Sequence, residues 1–314
     1  MRILVTGGLG FIGSNFIDYM LQYHEIVNVD KCDYMAREKN AGGTYIRGDI
    51  TDQYHMAYIF KTYKPQVVVH FAAQSCVTKS FDLAFEYTKD NVLGTHVLLE
   101  TARAYGQLER FIHISTDEVY GEVGPSDVSG ENSPLNPCNP YSASKAAAEL
   151  YVKAYMTSFK LPCIITRINN VFGPKQYPEK VVPLFMTQIL RGQDVTIHGD
   201  GTMRRNFIHV DDVSSAIKLI MERGELCKTY NIGTQFEYSV IDMYRMISEI
   251  SGLPSVAKFV KDPRAYNDSR YCIDSSELKK LGWTENPDFE SKLKSTWEWY
   301  KANLDWWDDF RDSN

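Results

Sequence analysis

The amino-acid sequence predicts a doubly wound parallel α/β sheet with a smaller, interleaved α/β domain. Three observations lead there. Short apolar runs such as Val67-Val68-Val69 alternate with helix-period segments through the first half. A glycine-rich turn follows the first run directly, and prolines at 174, 178, 183, 254, 263 and 287 break the second half into shorter pieces. Continuous apolar runs read as strands buried on both faces, and alternating β and α segments imply parallel pairing through right-handed crossovers.

In chain order, strands are expected at 2–6, 26–30, 45–49, 67–71, 110–115 and 163–168, and helices at 14–23, 53–62, 84–105 and 141–159. A further strand and helix are expected across 207–222. The first domain takes residues 1–170 with about 198–228, and the second takes 171–197 and 229–314. The acidic end of the chain, 305–314, is expected to lie on the surface.

With 314 residues, 44% of them hydrophobic and 24% charged, the chain is long enough for about two domains and ordinary for a globular protein. The net charge is −6, with no basic tract, which argues against a nucleic-acid binder. No run reaches the roughly 18 apolar residues of a membrane span. The six cysteines form no CxxC pair, so free thiols in a cytoplasmic setting are expected, with neither a disulfide scaffold nor a metal site.

Gly7, Gly10 and Gly13 follow the first strand and open a helix. Such spacing permits a tight turn, a close approach of a pyrophosphate to the backbone, and close helix–strand packing. The helix N-terminus offers free N–H groups to the phosphates. Asp30 ends the second strand, where a carboxylate holds ribose hydroxyls and repels a 2′-phosphate, favouring NAD over NADP. Tyr141 and Lys145 are four apart at a helix start, hence on one face. A free phenol, with a pKa of about 10, is a poor base. The ammonium and an oxidised nicotinamide ring are expected to lower it, so that it takes a proton from a sugar hydroxyl as hydride leaves the same carbon.

Taken in order, TGGLGFIG at 6–13, Asp30, Gly48-Asp49-Ile50, His70-Phe71-Ala72-Ala73, Asn91, Ser115 and YSASK at 141–145 resemble the extended short-chain dehydrogenase/reductases over nearly the whole chain. The resemblance implies a Rossmann fold for the first domain and NAD as cofactor. It assigns the cofactor contacts to Gly7, Gly10, Phe11, Ile12, Gly13, Asp30, Lys31, Asp49, Ile50, Phe71, Ala72, Ala73, Asn91, Ser115, Tyr141 and Lys145.

Thr116-Asp117-Glu118 at the end of a strand narrows the resemblance to the nucleotide-sugar 4,6-dehydratases. Oxidation at C4 of the sugar acidifies the C5 proton, so elimination needs a base at C5 and an acid at the C6 hydroxyl. Two carboxyls with separated pKa values can share those roles. The family pattern makes Asp117 the acid and Glu118 the base, with Thr116 bonding the C4 oxygen. It places Gln74, Thr116, Asn170, Lys180, Val181, Arg205, Asn231, Arg264 and Asn267 on a nucleoside-diphospho-glucose, Arg204 being a departure that competes with Arg205. Gln74, RINNVFGP, YNIGT and RAYNDSRY look closer to the UDP-glucose enzymes of rhamnose synthesis than to the dTDP-glucose enzymes. The two bases differ by one methyl, so both remain open, as do a 4-epimerase and a non-catalytic NAD-binding protein. The family also implies a homodimer through a four-helix bundle built from 84–105 and 149–159. Segment 122–137, rich in Gly, Pro and Ser, is expected to close over the substrate.

Overall fold

A computed structural model describes residues 1–308. Its centre is a seven-stranded sheet ordered β10-β6-β5-β4-β1-β2-β3, with every pairing parallel. These strands are β1 Arg2–Thr6, β2 Glu25–Asp30, β3 Thr44–Arg47, β4 Val67–His70, β5 Arg110–Thr116, β6 Cys163–Ile168 and β10 Thr229–Ile232. The chain runs outward from β1 to β3, returns to β4 beside β1, and runs outward again on the other side. A crevice forms where the direction reverses, at the carboxyl edge.

The two faces of the sheet read directly from the two-residue period of a strand. Ile3 and Val5 pack with Phe16 and Ile17 of the helix Phe11–Met20 and with Ile217 and Ile220 of the helix Val210–Arg223. Leu4 points the other way, into the layer of Met56, Leu98, Leu99 and Val152. Those residues come from the helices Gln53–Tyr63, Gly94–Tyr105 and Pro140–Phe159.

The smaller part holds two short sheets. One joins β11 Glu237–Ser239, β9 Arg204–His209 and β7 Asn170–Phe172; the other joins β12 Ala257–Val260 and β8 Val195–His198. The helices Val181–Leu190, Val240–Ser251 and Phe289–Ala302 cover them around Phe185, Ile247 and Trp297.

Four features add to or correct the expectations. The strand β10 lies inside 229–314, yet it is the outer strand of the large sheet beside β6. Leu278 and Trp283 pack in that sheet's core as well. The central sheet therefore takes in residues beyond 229: Tyr230 and Ile232 are buried on it. The chain end is not wholly on the surface either. Trp307 is 2% exposed and donates its Nε1–H to Tyr300 O at 2.9 Å, and Trp306 donates to Asn40 Oδ1 at 3.1 Å. Indole area outweighs the neighbouring acids; residues 309–314 lie outside the described residues.

The first helix begins at Phe11 rather than 14, with Gly10 as an N-cap lacking a side-chain bond, so its first N–H groups face the crevice. The rod expected at 84–105 is interrupted by a π-helical turn, Thr88–Leu93, which turns Asp90 and Asn91 inward. No helix among the described residues is long and apolar enough to cross a membrane.

Candidate active site

A cavity of about 300 Å³ occupies the crevice at the carboxyl ends of β1, β2, β4, β5 and β6. Gly7, Gly10, Phe11, Ile12, Gly13, Asp30, Lys31, Asp49, Ile50, Phe71, Ala72, Ala73, Gln74, Ser115, Thr116, Asp117, Glu118, Tyr141, Lys145, Asn170 and Lys180 all line it. Gly7 has φ +75°, and a Cβ there would stand 2.5 Å from Ala72 N. A Cβ on Gly13 would stand 2.3 Å from Gly7 O. Both glycines are sterically required for the turn.

Asp30 is buried and accepts the N–H groups of Leu9 at 3.0 Å and Cys32 at 2.7 Å. Lys31 Nζ lies 2.5 Å from Asp90 Oδ2 and 3.6 Å from Asp33 Oδ2. Gln74 donates its Nε2–H groups to Asp33 and Asp90, so it joins this polar cluster. The carboxamide of Asn91 brackets the backbone of Gln74, accepting at 2.7 Å and donating at 3.0 Å, and bonds Ser144 Oγ at 2.8 Å. It braces the wall from behind and is not among the residues that line the cavity.

The next strand supplies the reactive groups. β5 ends at Thr116, and a 3₁₀ turn, Asp117–Tyr120, follows. Thr116 Oγ1 accepts Glu118 N–H and donates to Asp117 Oδ1, both at 3.3 Å. Asn169 Nδ2 donates to Asp117 Oδ2 at 2.9 Å, and Asn139 Nδ2 donates to Glu118 Oε2 at 3.1 Å. Burial pushes the Asp117 carboxyl up to about 7 against the Asn169 bond, and the charge of Glu118 adds to the rise. Burial also raises Glu118, against the Asn139 bond and the cations Arg205 and Lys180.

Tyr141 and Lys145 stand one turn apart on the helix Pro140–Phe159. Lys145 Nζ donates to Ile114 O at 2.7 Å, and burial lowers its pKa to about 8. The phenol of Tyr141 was expected below its ordinary value. Burial and the Glu118 charge instead hold it above, so the protein's own groups keep it protonated. A weakened ammonium beneath it does not outweigh two adjacent carboxyls.

The remaining expected contacts divide. Lys180 Nζ donates to Ser75 O at 2.9 Å on the cavity wall, and Val181 begins the adjoining helix without lining the cavity. Arg205, Asn267 and Arg264 lie outside the lining residues but form one network. Arg205 Nη2 donates to Asn267 Oδ1 at 3.1 Å, Asn267 Nδ2 donates to Asp262 at 3.1 Å, and Arg264 pairs with Asp262 at 2.7 Å. Arg204 turns away to Glu237, which removes it as a competitor.

Asn231 lies outside the lining residues too. It is fully buried, accepting from Tyr120 OH at 2.8 Å and donating to Ser129 O and Asp274 O. Segment 122–137 is likewise bonded down: Ser129 N–H meets Cys272 O at 2.9 Å, and Arg270 holds the carbonyls of Gly124 and Asp127. Asn139 and Asn169, which orient the two carboxyls, were missed. Asn139 carried a signal, since Asn-Pro before a helical run marks an N-cap. Asn169 carried none, because its side chain reaches Asp117 only through sheet pairing.

A family profile described as GDP-mannose 4,6 dehydratase matches residues 4–296, and the chain belongs to that family. A trifunctional UDP-glucose 4,6-dehydratase/UDP-4-keto-6-deoxy-D-glucose 3,5-epimerase/UDP-4-keto-L-rhamnose-reductase of Arabidopsis thaliana is 43% identical, over 98% of this chain and 48% of that protein. The chain thus spans about half the length of the plant relatives it matches. A dTDP-D-glucose 4,6-dehydratase of Mus musculus is 42% identical over 98% of this chain and 90% of that protein. Among solved structures, a dTDP-glucose 4,6-dehydratase of Streptomyces venezuelae with NAD and TYD bound superposes with TM-score 0.94 and 35% identity, covering 99% of this chain and 100% of that one. A UDP-glucose 4-epimerase of Thermotoga maritima superposes with TM-score 0.92 and 33% identity, covering 97% and 100%.

Proposed function

We propose that this chain is a nucleotide-sugar 4,6-dehydratase that converts UDP-glucose to UDP-4-keto-6-deoxyglucose. The observation that carries the reading is the pair of adjacent carboxyls, buried Asp117 and half-buried Glu118, in the same cavity as Tyr141 and Lys145. Epimerases share the fold but need no elimination acid and base, so the fold alone does not decide.

The residues suit NAD. Gly7 and Gly13 leave a cradle that a Cβ would fill, Asp30 fits a ribose diol, and Ser115 Oγ is buried with no protein partner. Lys31 is tied to Asp90, so it does not offset the repulsion of a 2′-phosphate by Asp30. Bound NAD supplies a hydride acceptor for C4 and a hydride donor for C6, and is unchanged after a turnover.

Tyr141 would take the C4 hydroxyl proton; burial and the Glu118 charge hold its phenol protonated, and the positive ring of bound NAD would oppose them. Glu118 then takes the C5 proton. Asp117, protonated below about pH 7, gives its proton to the departing C6 hydroxyl, which leaves as water. After hydride return to C6, Glu118 gives its proton back to C5. The proton gained by Tyr141 and the one lost by Asp117 balance through solvent, so the net change is loss of one water. Burial raises both carboxyls; Asn139, Arg205 and Lys180 favour the charged form of Glu118 against Asp268, whereas Asp117 has the Glu118 charge beside it to favour its proton against Asn169 and Arg205, which supports Glu118 as the base and Asp117 as the acid.

Lys180, Asn170 and Gln74 would face the sugar side, and Arg205 with Arg264 the diphosphate, where planar guanidinium groups pair oxygens two at a time. In this reading residues 1–170 and 198–232 carry the dinucleotide, and 171–197 with most of the remainder carries the sugar nucleotide. Leu93, Leu150, Tyr151 and Phe159 are exposed on the two helices expected to pair, Leu150 at 59%, which supports a homodimer. The six thiols are free, which suits a reducing cytoplasm.

UDP is favoured over dTDP by Gln74 and by the plant relatives; the mouse relative supports dTDP. A pocket separates the two bases by only about 1–3 kcal/mol. Mass spectrometry after competition between UDP-glucose and dTDP-glucose tests both points. Loss of one water establishes the reaction and the faster sugar its base. UDP-galactose at unchanged mass, or no reaction, overturns it.

A further inference from the structure

We propose that Asn139 is a positioning residue that holds Glu118 as the ionised base and ties it to the helix carrying Tyr141. The proposal deepens the dehydratase reading and rests on it for the role of Glu118. Its geometry stands independently.

Asn139 is buried and caps the helix Pro140–Phe159. Its Oδ1 accepts Ser142 N–H at 2.8 Å, while Ser142 Oγ bonds back to Asn139 N at 3.2 Å. A backbone N–H can only donate, so the amide has one possible orientation. Its Nδ2 must then be the end that meets Glu118 Oε2, at 3.1 Å. An amide N–H given to a carboxylate favours the charged form. The cap therefore does two things at once: it fixes the start of the helix at Pro140, and it places a donor on the base. Tyr141 is the second residue after Asn139, so one side chain sets the spacing of both reacting groups. Aspartate caps helices as well as asparagine does but has no donor to offer. Serine caps too, but is too short to span to Glu118.

The charged and titratable groups around Glu118 come from every neighbouring element: Asp117 on its own turn, Tyr141 on the helix, Arg205 on β9, Lys180 before the helix Val181–Leu190, and Asp268 and Tyr271 on the segment after Arg264. Arg205 and Lys180 are cations, but the donor in direct hydrogen-bond contact is Asn139.

The test compares the full chain with Asn139→Ser and Asn139→Asp, both of which keep a cap. Three readouts are used: the carboxyl titration of Glu118 by carbon NMR, assigned with Glu118→Gln; the pH profile of water loss from UDP-glucose; and thermal midpoints. In Asn139→Ser the Glu118 midpoint should rise by about one pH unit, the size of one lost hydrogen bond to a charged group, and the acidic limb of kcat should move with it. Asn139→Asp should move both further in the same direction. Formation of reduced cofactor on mixing with sugar should persist in both variants. Identical Glu118 midpoints in all three chains overturn the proposal. So does a proportional loss of melting temperature, oxidation and elimination, which would make Asn139 a helix cap alone. If the unaltered chain removes no water from any nucleotide sugar while the Glu118 midpoint still moves, the dehydratase reading fails and the hold of Asn139 on Glu118 stands.

Discussion

Lys31 Nζ lies 2.5 Å from Asp90 Oδ2, an ion pair that joins the end of β2 to the π-helical turn Thr88–Leu93. A lysine after the ribose-binding position reads in sequence as a candidate for a 2′-phosphate. The inward turn of Asp90 cancels it. Asp90→Asn should leave that charge with only the longer contact to Asp33 and narrow the preference for NAD over NADP by about tenfold, roughly the worth of one charged hydrogen bond. Calorimetric titration of both cofactors measures this, and an unchanged preference would show that Lys31 does not reach the ribose.

Asp117 gives a pH prediction with a definite sign. Its folded pKa is raised from 3.8 to about 7. The folded state therefore favours the proton, and that contribution to stability is full below the unfolded value and is lost as pH rises through about 7. An acid that must hold a proton also loses activity above that pH. Asp117→Asn should be inactive in elimination by a factor on the order of 10²–10⁴. It should nevertheless melt higher than the unaltered chain at pH 8, with the gap closing toward pH 4. A lower melting temperature at pH 8 would sink this account.

Arg167 and Glu149 are both fully buried and pair at 2.7 Å, with a second guanidinium bond at 3.0 Å. Arg167 also donates to Tyr120 OH at 2.6 Å and Glu131 O at 3.0 Å, so the pair supports the turn that carries Asp117 and Glu118. Removing one partner leaves an uncompensated buried charge. Glu149→Ala should cost about 3–5 kcal/mol in urea unfolding, far more than Glu100→Ala at the exposed pair with Arg103, worth at most about 1 kcal/mol. Equal losses at the two sites would contradict the burial argument.

Much of the site was legible because local chemistry announces it. Gly7 and Gly13 must be glycines where a Cβ would strike backbone, and the two-residue period of β1 marks its two buried faces. Tyr141 and Lys145 share a helix face by spacing alone. The partners of Asn231 were not legible, because its carboxamide meets Tyr120, Ser129 and Asp274 only through the fold. The place of β10 beside β6 was not legible, because a four-residue edge strand has no periodicity to separate it from the short strands that follow.

The sequence by itself determined the parallel sheet, the glycine turn, the acid at the end of β2 and the row of reactive groups on β5 and the following helix. Each of these depends on residues near one another in the chain, where spacing dictates geometry. Only the tertiary structure decided which charge faces which. Asp90 against Lys31, Asn169 against Asp117, Asn139 against Glu118 and Glu149 against Arg167 are contacts between separate elements, and hydrogen bonds act over about 3 Å whatever the separation in sequence. The contacts at Asp117 and Glu118, together with burial, set the electrostatic surroundings of the two carboxyls.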